Sequence, residues 1–218
     1  MNLFQEPASA FLVLAGFSLL PFLFLGMTAY VKIATCLHIA RKAIGADAIP
    51  ENGVIVALAA ALTLLAMAPV VTEIETRAAP ILLEAKSTKD PTANQAQILE
   101  AVAAVREPLR TFLTANSAAG EKARFLAVAQ KRGAKVEATD FPVLVPAFVV
   151  TELSEAFALG FLIFLPFLVI DVLVANVLAA LGTQNLSARE VSLPLKLLLF
   201  VAADGWGLLA RALVAGYK

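Results

Sequence analysis

One cysteine, one histidine and one tryptophan in 218 residues leave little material for covalent or metal chemistry. A lone Cys36 excludes an internal disulfide framework and any multi-cysteine metal site, leaves the redox compartment undetermined, and reads most simply as core filler. His38 has no ligand cluster near it in the sequence, so no metal centre is expected there. The chain also lacks a nucleotide loop GxxxxGK[ST], a zinc motif HExxH and a nucleophile elbow GxSxG. Those are the patterns whose geometry cradles phosphates, holds zinc or exposes a reactive serine. No cofactor and no enzymatic activity are expected. Charge is scarce too, at 16% of residues, and balanced at 17 basic against 17 acidic side chains. A chain without a basic surface is a poor partner for nucleic acid.

What the chain has in excess is apolar sequence: 60% of residues are hydrophobic and the mean hydropathy is +0.84. A soluble domain is roughly 45–50% apolar and about 25% charged, so this is a membrane-class composition. Residues 7–31 run for 25 positions and residues 52–72 for 21 without a charge. Each exceeds the ~20 residues that a helix needs to cross the hydrocarbon, and each reads as a span. Gln5, Glu6 and Pro7 do not form the basic start of a cleaved secretory signal, so the first span is expected to be retained. Between the spans, residues 31–51 carry Lys32, Arg41 and Lys42 against Asp47 and Glu51. A short basic loop of this kind belongs on the cytoplasmic side, which places the N-terminus and residues 73–140 outside.

Residues 73–140 hold ten of the basic residues. That stretch is longer than the ~60 residues over which loop charge orients a span, so its charge tests nothing. Ile98, Val102, Val105, Leu109, Phe112 and Leu113 recur at helical spacing, and Phe125, Leu126 and Val128 mark a second helix after a turn at 117–120. The pattern predicts a small helical subdomain, with a loop at 86–97 around Pro91.

From 141 onward the chain is intensely apolar, yet Glu152, Glu155, Asp171, Arg189, Glu190, Lys196, Asp204 and Arg211 interrupt it. Residues 141–182 are too long for one span, and Gly160 and Pro166 are the places to kink or break it, predicting a bent helix or a tight hairpin. If Glu152, Glu155, Asp171, Lys196 and Asp204 each faced lipid at roughly 2.5–3.5 kcal/mol, the sum would reach on the order of 10–15 kcal/mol, comparable to a whole domain's stability. They cannot all face lipid. Asp171 and Asn176 lie five residues apart, roughly 140° around a helix, so one polar neighbour does not serve both. They need polar surroundings on two sides, as between packed subunits or beside a water-filled lumen.

The segments PAFVVTELSEAFALGFLIFLPFLVIDVLVANVLAALG (146–182) and VSLPLKLLLFVAADGW (191–206) resemble the FliP/SctR family, the core export-gate subunit of bacterial flagellar and injectisome type III secretion. KIATCLHIARKAIGADAIPENGVIVALAAALTLLAMAPV near the start, REPLRTF at 106–112 and EKARF at 121–125 agree with it, so the resemblance covers 19–213. It implies five copies assembled with four copies of a small two-helix subunit (SctS/FliQ-like) and one SctT/FliR-like subunit. Together they would form a helical, cone-like gate that passes unfolded proteins across the inner membrane, with much of the assembly on the periplasmic side. Such a protein draws its energy from a separate ATPase and the proton motive force. The short N-terminus favours the injectisome branch.

Under that resemblance Glu152, Glu155, Asp171, Asn176, Lys196 and Asp204 are expected at contacts between subunits, with an internal ion pair or a snorkelling side chain as the alternative for Glu152, Glu155, Lys196 and Asp204. Gly205 would set close packing, and Trp206 an interfacial anchor. In the family a methionine-rich loop follows the glycine matching Gly182 and acts as a soft gasket. Here Thr183, Gln184, Asn185 and Leu186 stand in its place, implying a more polar constriction or one closed by Leu186 and neighbouring subunits. A plain polar turn is the alternative.

The expected architecture is all-α: membrane-associated helical hairpins with a small helical extracytoplasmic subdomain, assembling into a ring-like structure. Its parts are residues 1–72, 73–140 and 141–218. Two rivals remain. An intramembrane aspartyl protease would pair Asp171 with Asp204, although the glycine-flanked GxGD pattern is absent. A small-solute or ion transporter would use intramembrane carboxylates as binding sites, although no inverted repeat is visible.

Overall fold

The computed structural model describes residues 18, 25–45, 50–87, 91–183 and 186–217. These contain seven helices: α1 (Tyr30–Ile44), α2 (Asn52–Ser87), α3 (Pro91–Asn116), α4 (Ala119–Lys131), α5 (Phe141–Ala180), α6 (Ala188–Ala202) and α7 (Gly205–Ala215). No strand occurs among the described residues. Most of the first apolar run, 7–31, lies outside them, as do Gln184 and Asn185.

Helix α1 replaces the expected basic loop. It ends at Gly45, whose φ of 84° suits a residue without Cβ, and Arg41 and Lys42 in its last turn complement the negative end of the helix dipole. Lys32 sits in its first turn and is only 3% exposed, so it does not belong to a solvated cytoplasmic connection. Helix α2 carries the second apolar run well beyond residue 72 to Ser87, and α3 begins at Pro91, where a missing amide costs a helix nothing. Residues 86–87 and 91–97 of the predicted loop are therefore helical, and 88–90 lie outside the described residues. The predicted turn before the second middle helix is present, at Ser117 and Ala118 between α3 and α4.

Helix α5 departs most from expectation. It runs 40 residues through both Gly160 and Pro166 without a turn, so there is no hairpin inside 141–182. The glycine does different work. A Cβ there would come within 2.5 Å of Ile39 Cδ1, so Gly160 is the point where α1 presses against α5. The hairpin forms one element later, where α6 returns against α5 and Ser192 and Lys196 reach Asp171. Helix α7 then turns 57° from α6 at Asp204, which adopts the left-handed conformation at φ 49°. Among the described residues two helices, over Asn52–Ile81 and Phe141–Ala180, are long and apolar enough to cross a membrane, and the bent α6–α7 pair makes a third if it is one span.

The main core joins α1, α2, α3, α5 and the end of α7 through Ile33, Leu37, Ile55, Leu113, Leu144 and Phe148. The middle stretch contributes Phe112, whose ring lies 5.6 Å from that of Phe148. It is also tied to α5 by the Ala118 amide, which donates to Thr151 Oγ1 at 3.0 Å. A second cluster seats Phe167 and Phe200 against Ala40, Ala43 and Ile44, with Trp206 edge-on to Phe200 at 5.0 Å. Gly205 lets α7 start under Phe200, since a Cβ would meet that ring at 2.2 Å. Outside these cores, α5 turns Phe157, Phe161, Leu162, Leu173 and Val177 outward, each more than half exposed. A patch of that kind needs lipid or protein to cover it.

Candidate functional site

Ion clusters, rather than a catalytic cleft, are what the fold builds from the charges in its apolar helices. In the first, Lys32 of α1 donates to Glu152 Oε1 at 3.1 Å and to Glu155 Oε2 at 2.9 Å, two carboxylates presented by successive positions on one face of α5. Lys32 and Glu152 are almost wholly enclosed, whereas the Glu155 side chain is 53% exposed. Tyr217, just beyond α7, places its hydroxyl against Glu152 Oε2 and 3.1 Å from the Ala29 carbonyl oxygen. With one proton to give, the phenol donates best to the ionised acceptor. The Lys32 ammonium also lies 4.0 Å from the centre of the Tyr217 ring, a cation–π contact, and that ring stacks on Phe112 at 5.9 Å. Burial, and then the Glu152 charge, push the Tyr217 phenol above its ordinary range, so it stays a donor. A polar cavity of about 240 Å³ adjoins the group, walled by Asn116, Ser117 and Thr151 as well as the three ions.

The second cluster is on the other half of α5. Asp171 Oδ2 accepts from Lys196 Nζ at 2.5 Å and its Oδ1 from Ser192 Oγ at 2.7 Å. Ser192 and Lys196 are four residues apart, hence one above the other on α6. Lys196 Nζ also reaches the Ala43 carbonyl at 3.4 Å, and Arg189 Nη2 reaches the Gly45 carbonyl at 3.5 Å, so both cations meet the carbonyl end of α1.

The expected site residues thus divide. Glu152, Glu155, Asp171 and Lys196 each have a partner within the chain; Asp171 and Lys196 are partners of each other. Asp204 pairs with Arg211 at 2.9 Å, with both side chains about 70% exposed, a setting in which an ion pair contributes little. It does not approach Lys196. Asn176 is exposed on α5 and joins neither cluster, as its angular offset from Asp171 requires. Thr183 is exposed, its hydroxyl donating to the Leu178 carbonyl at 3.2 Å, and Leu186 is 54% exposed. Gln184 and Asn185 lie outside the described residues. Asp171 and Asp204 are not brought together as a protease dyad; each holds a separate cation. Among the described residues no three His, Cys, Asp or Glu side chains are placed to hold a metal.

Three members escaped the sequence reading. Lys32 was assigned to a loop because it ends a charge-free run, and Tyr217 because nothing in a terminal GYK suggests a buried phenol. Ser192 had a usable signal, a hydroxyl one helical turn before a lysine in an otherwise apolar helix.

The profile of the FliP family matches residues 13–213. Relatives include the hypersensitivity response secretion protein HrcR of Ralstonia nicotianae, 38% identical over 98% of each chain. The harpin secretion protein HrpW of Pseudomonas syringae pv. syringae is 40% identical over 94% of this chain and 98% of its own. The flagellar biosynthetic protein FliP of Bacillus subtilis is 35% identical over 94% of this chain and 90% of its own. With paired ions inside apolar helices and a profile match spanning nearly its whole length, the chain belongs to the FliP family.

Proposed function

We propose that the chain is a core subunit of a type III secretion export gate, passing unfolded proteins across the bacterial inner membrane without catalytic chemistry of its own. Family membership supports export, because the relatives carry names of secretion and flagellar biosynthesis proteins. The secretion branch is favoured over the flagellar one by the near-complete mutual coverage with the two relatives named as secretion proteins.

The observation that carries the reading is on α5. Its ions pair with Lys32 and Lys196 of the neighbouring helices, while its other faces stay apolar and open along much of 40 residues. A helix of that length is about 60 Å long, roughly twice the hydrocarbon thickness, so lipid alone does not account for its exposed surface. Sister subunits do, which fits five copies packed with four small two-helix subunits and one SctT/FliR-like subunit. In that assembly the half-exposed Glu155, the exposed Asn176 and the Asp204–Arg211 pair are the polar groups available to neighbours, and Thr183 to Leu186 form the constriction. Residues 73–140 then stand on the periplasmic side.

Native mass measurement of the gently solubilised complex tests this. Five copies with smaller helical partners are expected; a solitary, fully active chain with saturable solute uptake would replace the export reading by a transporter.

A further inference from the structure

Helix α4 is held from one side. Of the other described helices only α5 packs along it, and none of its 13 residues is buried. Phe125 and Leu126 are half-buried against that neighbour, and Val128 is 54% exposed. A helix this short is marginal by itself in water and depends on burying a face. With cover on one side alone, α4 presents an unfinished packing surface. Its charge says what completes it. Along 119–135 five cations, Lys122, Arg124, Lys131, Arg132 and Lys135, stand against one acid, Glu121. Glu121 pairs with Arg124 at 2.5 Å, and Lys122 donates to the Thr114 carbonyl at 3.0 Å. Lys131, Arg132 and Lys135 are exposed, and no acid meets them among the described residues. Glu137 and Asp140 follow, but Asp140 accepts the Glu137 amide at 2.8 Å, and five cations against three acids is still a positive surplus. A surface of one sign is complementary to the other sign, so the missing cover is anionic.

An anionic membrane surface does not fit the distances. The outward apolar residues of α5 run from Phe157 to Val177, about 30 Å at a rise of 1.5 Å per residue, which is the thickness of the hydrocarbon. Helix α4 starts beside Thr151, where the Ala118 amide donates to the threonine hydroxyl, about 9 Å before that band. After α4 the chain enters α5 at Phe141, about 24 Å before Phe157. Headgroups extend only about 5–7 Å beyond the hydrocarbon on each side. The basic end of α4, next to that entry, therefore stands clear of the lipid that would cover α5.

We infer that the open face of α4 and the turn after it dock an acidic face of another polypeptide, its carboxylates meeting Lys131, Arg132 and Lys135 and its apolar side chains covering Val128. The surface goes beyond the export reading and does not depend on it, since one helix and its C-terminal turn form it.

The test is photo-crosslinking of the full chain, in the cells that produce it, with p-benzoylphenylalanine replacing Val128, followed by mass spectrometry of the joined peptides. One protein adduct is expected, its contact segment rich in Asp and Glu. Capture alone does not support the surface; charge dependence does. Lys131→Gln with Arg132→Gln and Lys135→Gln should lower the adduct at least several-fold at an unchanged level of the chain. If that variant does not accumulate, raised salt applied to the isolated wild-type complex before irradiation should lower the adduct in its place. Lys42→Gln with Arg77→Gln and Arg211→Gln, which removes the same charge from α1, α2 and α7, should leave it intact. An adduct of equal yield without the three cations, an equal loss in the control, or a contact segment without acidic residues would overturn the surface. So would adducts to lipid, to a second copy of this chain, or to nothing.

Discussion

Lys32 and Glu152 are 120 positions apart in the chain and 3.1 Å apart in space, their side chains 4% and 1% exposed. The contact links α1 to α5 through charge in a setting otherwise built from Ile33, Leu37 and Phe148. Removing Lys32 leaves Glu152 buried without its cation, whereas removing Glu152 leaves Lys32 with Glu155 alone, and removing both leaves neither ion buried without a partner.

Lys32→Met should therefore cost about 3–5 kcal/mol, Glu152→Met less because Glu155 still holds the lysine, and the double substitution clearly less than their sum. Thermal unfolding of the four purified forms reads the cycle. Additive losses would mean that the two ions do not depend on each other.

Tyr217 holds the chain end by two means, which separate by substitution. Tyr217→Phe removes only the hydroxyl that meets Glu152 and Ala29, for an expected loss of about 1–3 kcal/mol. Tyr217→Ala also removes the ring from Phe112 and Lys32, for about 3–5 kcal/mol. Equal melting temperatures for the two variants would show that the ring contributes nothing.

Gly160→Val should destabilise by about 1–3 kcal/mol through overpacking, because the added carbon enters the space of Ile39. Trimming the neighbour with Ile39→Ala in the same chain should recover part of the loss. Recovery is read as a rise in unfolding temperature over the single variant; none would place the strain elsewhere.

Cys36 is fully buried, its thiol 3.5 Å from the Ala156 carbonyl oxygen. Burial above all, with the Glu152 charge adding and Lys32 opposing, pushes the thiol from 9.0 to about 11. The folded state thus keeps the proton that the unfolded chain releases first. Its contribution to stability is complete below pH 9 and declines as pH rises toward about 11. At pH 8 a maleimide should label the native protein far more slowly than the denatured one. Equal rates would contradict the enclosed, protonated thiol.

Asp171→Leu leaves Lys196 and Ser192 facing an apolar side chain, and is expected to reduce complex yield or secretion. Asp171→Asn keeps a hydrogen-bond acceptor and should be milder. Export and assembly at wild-type levels in the leucine variant would remove Asp171 from any role in forming the complex.

Much of this was readable before any coordinates. The all-helical class, the span at 52–72 and the two middle helices follow from period and charge-free length, which are local properties. The rule that charges in apolar helices need shelter was readable as well, since its energy depends only on residue type. The partners were not readable. Lys32 sits at the edge of a greasy run and Tyr217 beside the chain end, and neither has a local pattern that names Glu152. Gly160 misled for a related reason: a glycine in a helix marks either a break or a close approach, and the neighbour that decides, Ile39, belongs to a different helix.

Residue types alone therefore dictate what kind of solvent this chain seeks and that its ions must be satisfied away from lipid, because transfer energies belong to side chains. Packing between helices set the rest: which ion meets which, that α5 continues past its proline, and that the chain folds back at α6. Those outcomes depend on contacts between different helices, from 21 positions apart for Asp171 and Ser192 to 153 for Ala43 and Lys196, and no local periodicity encodes such distances.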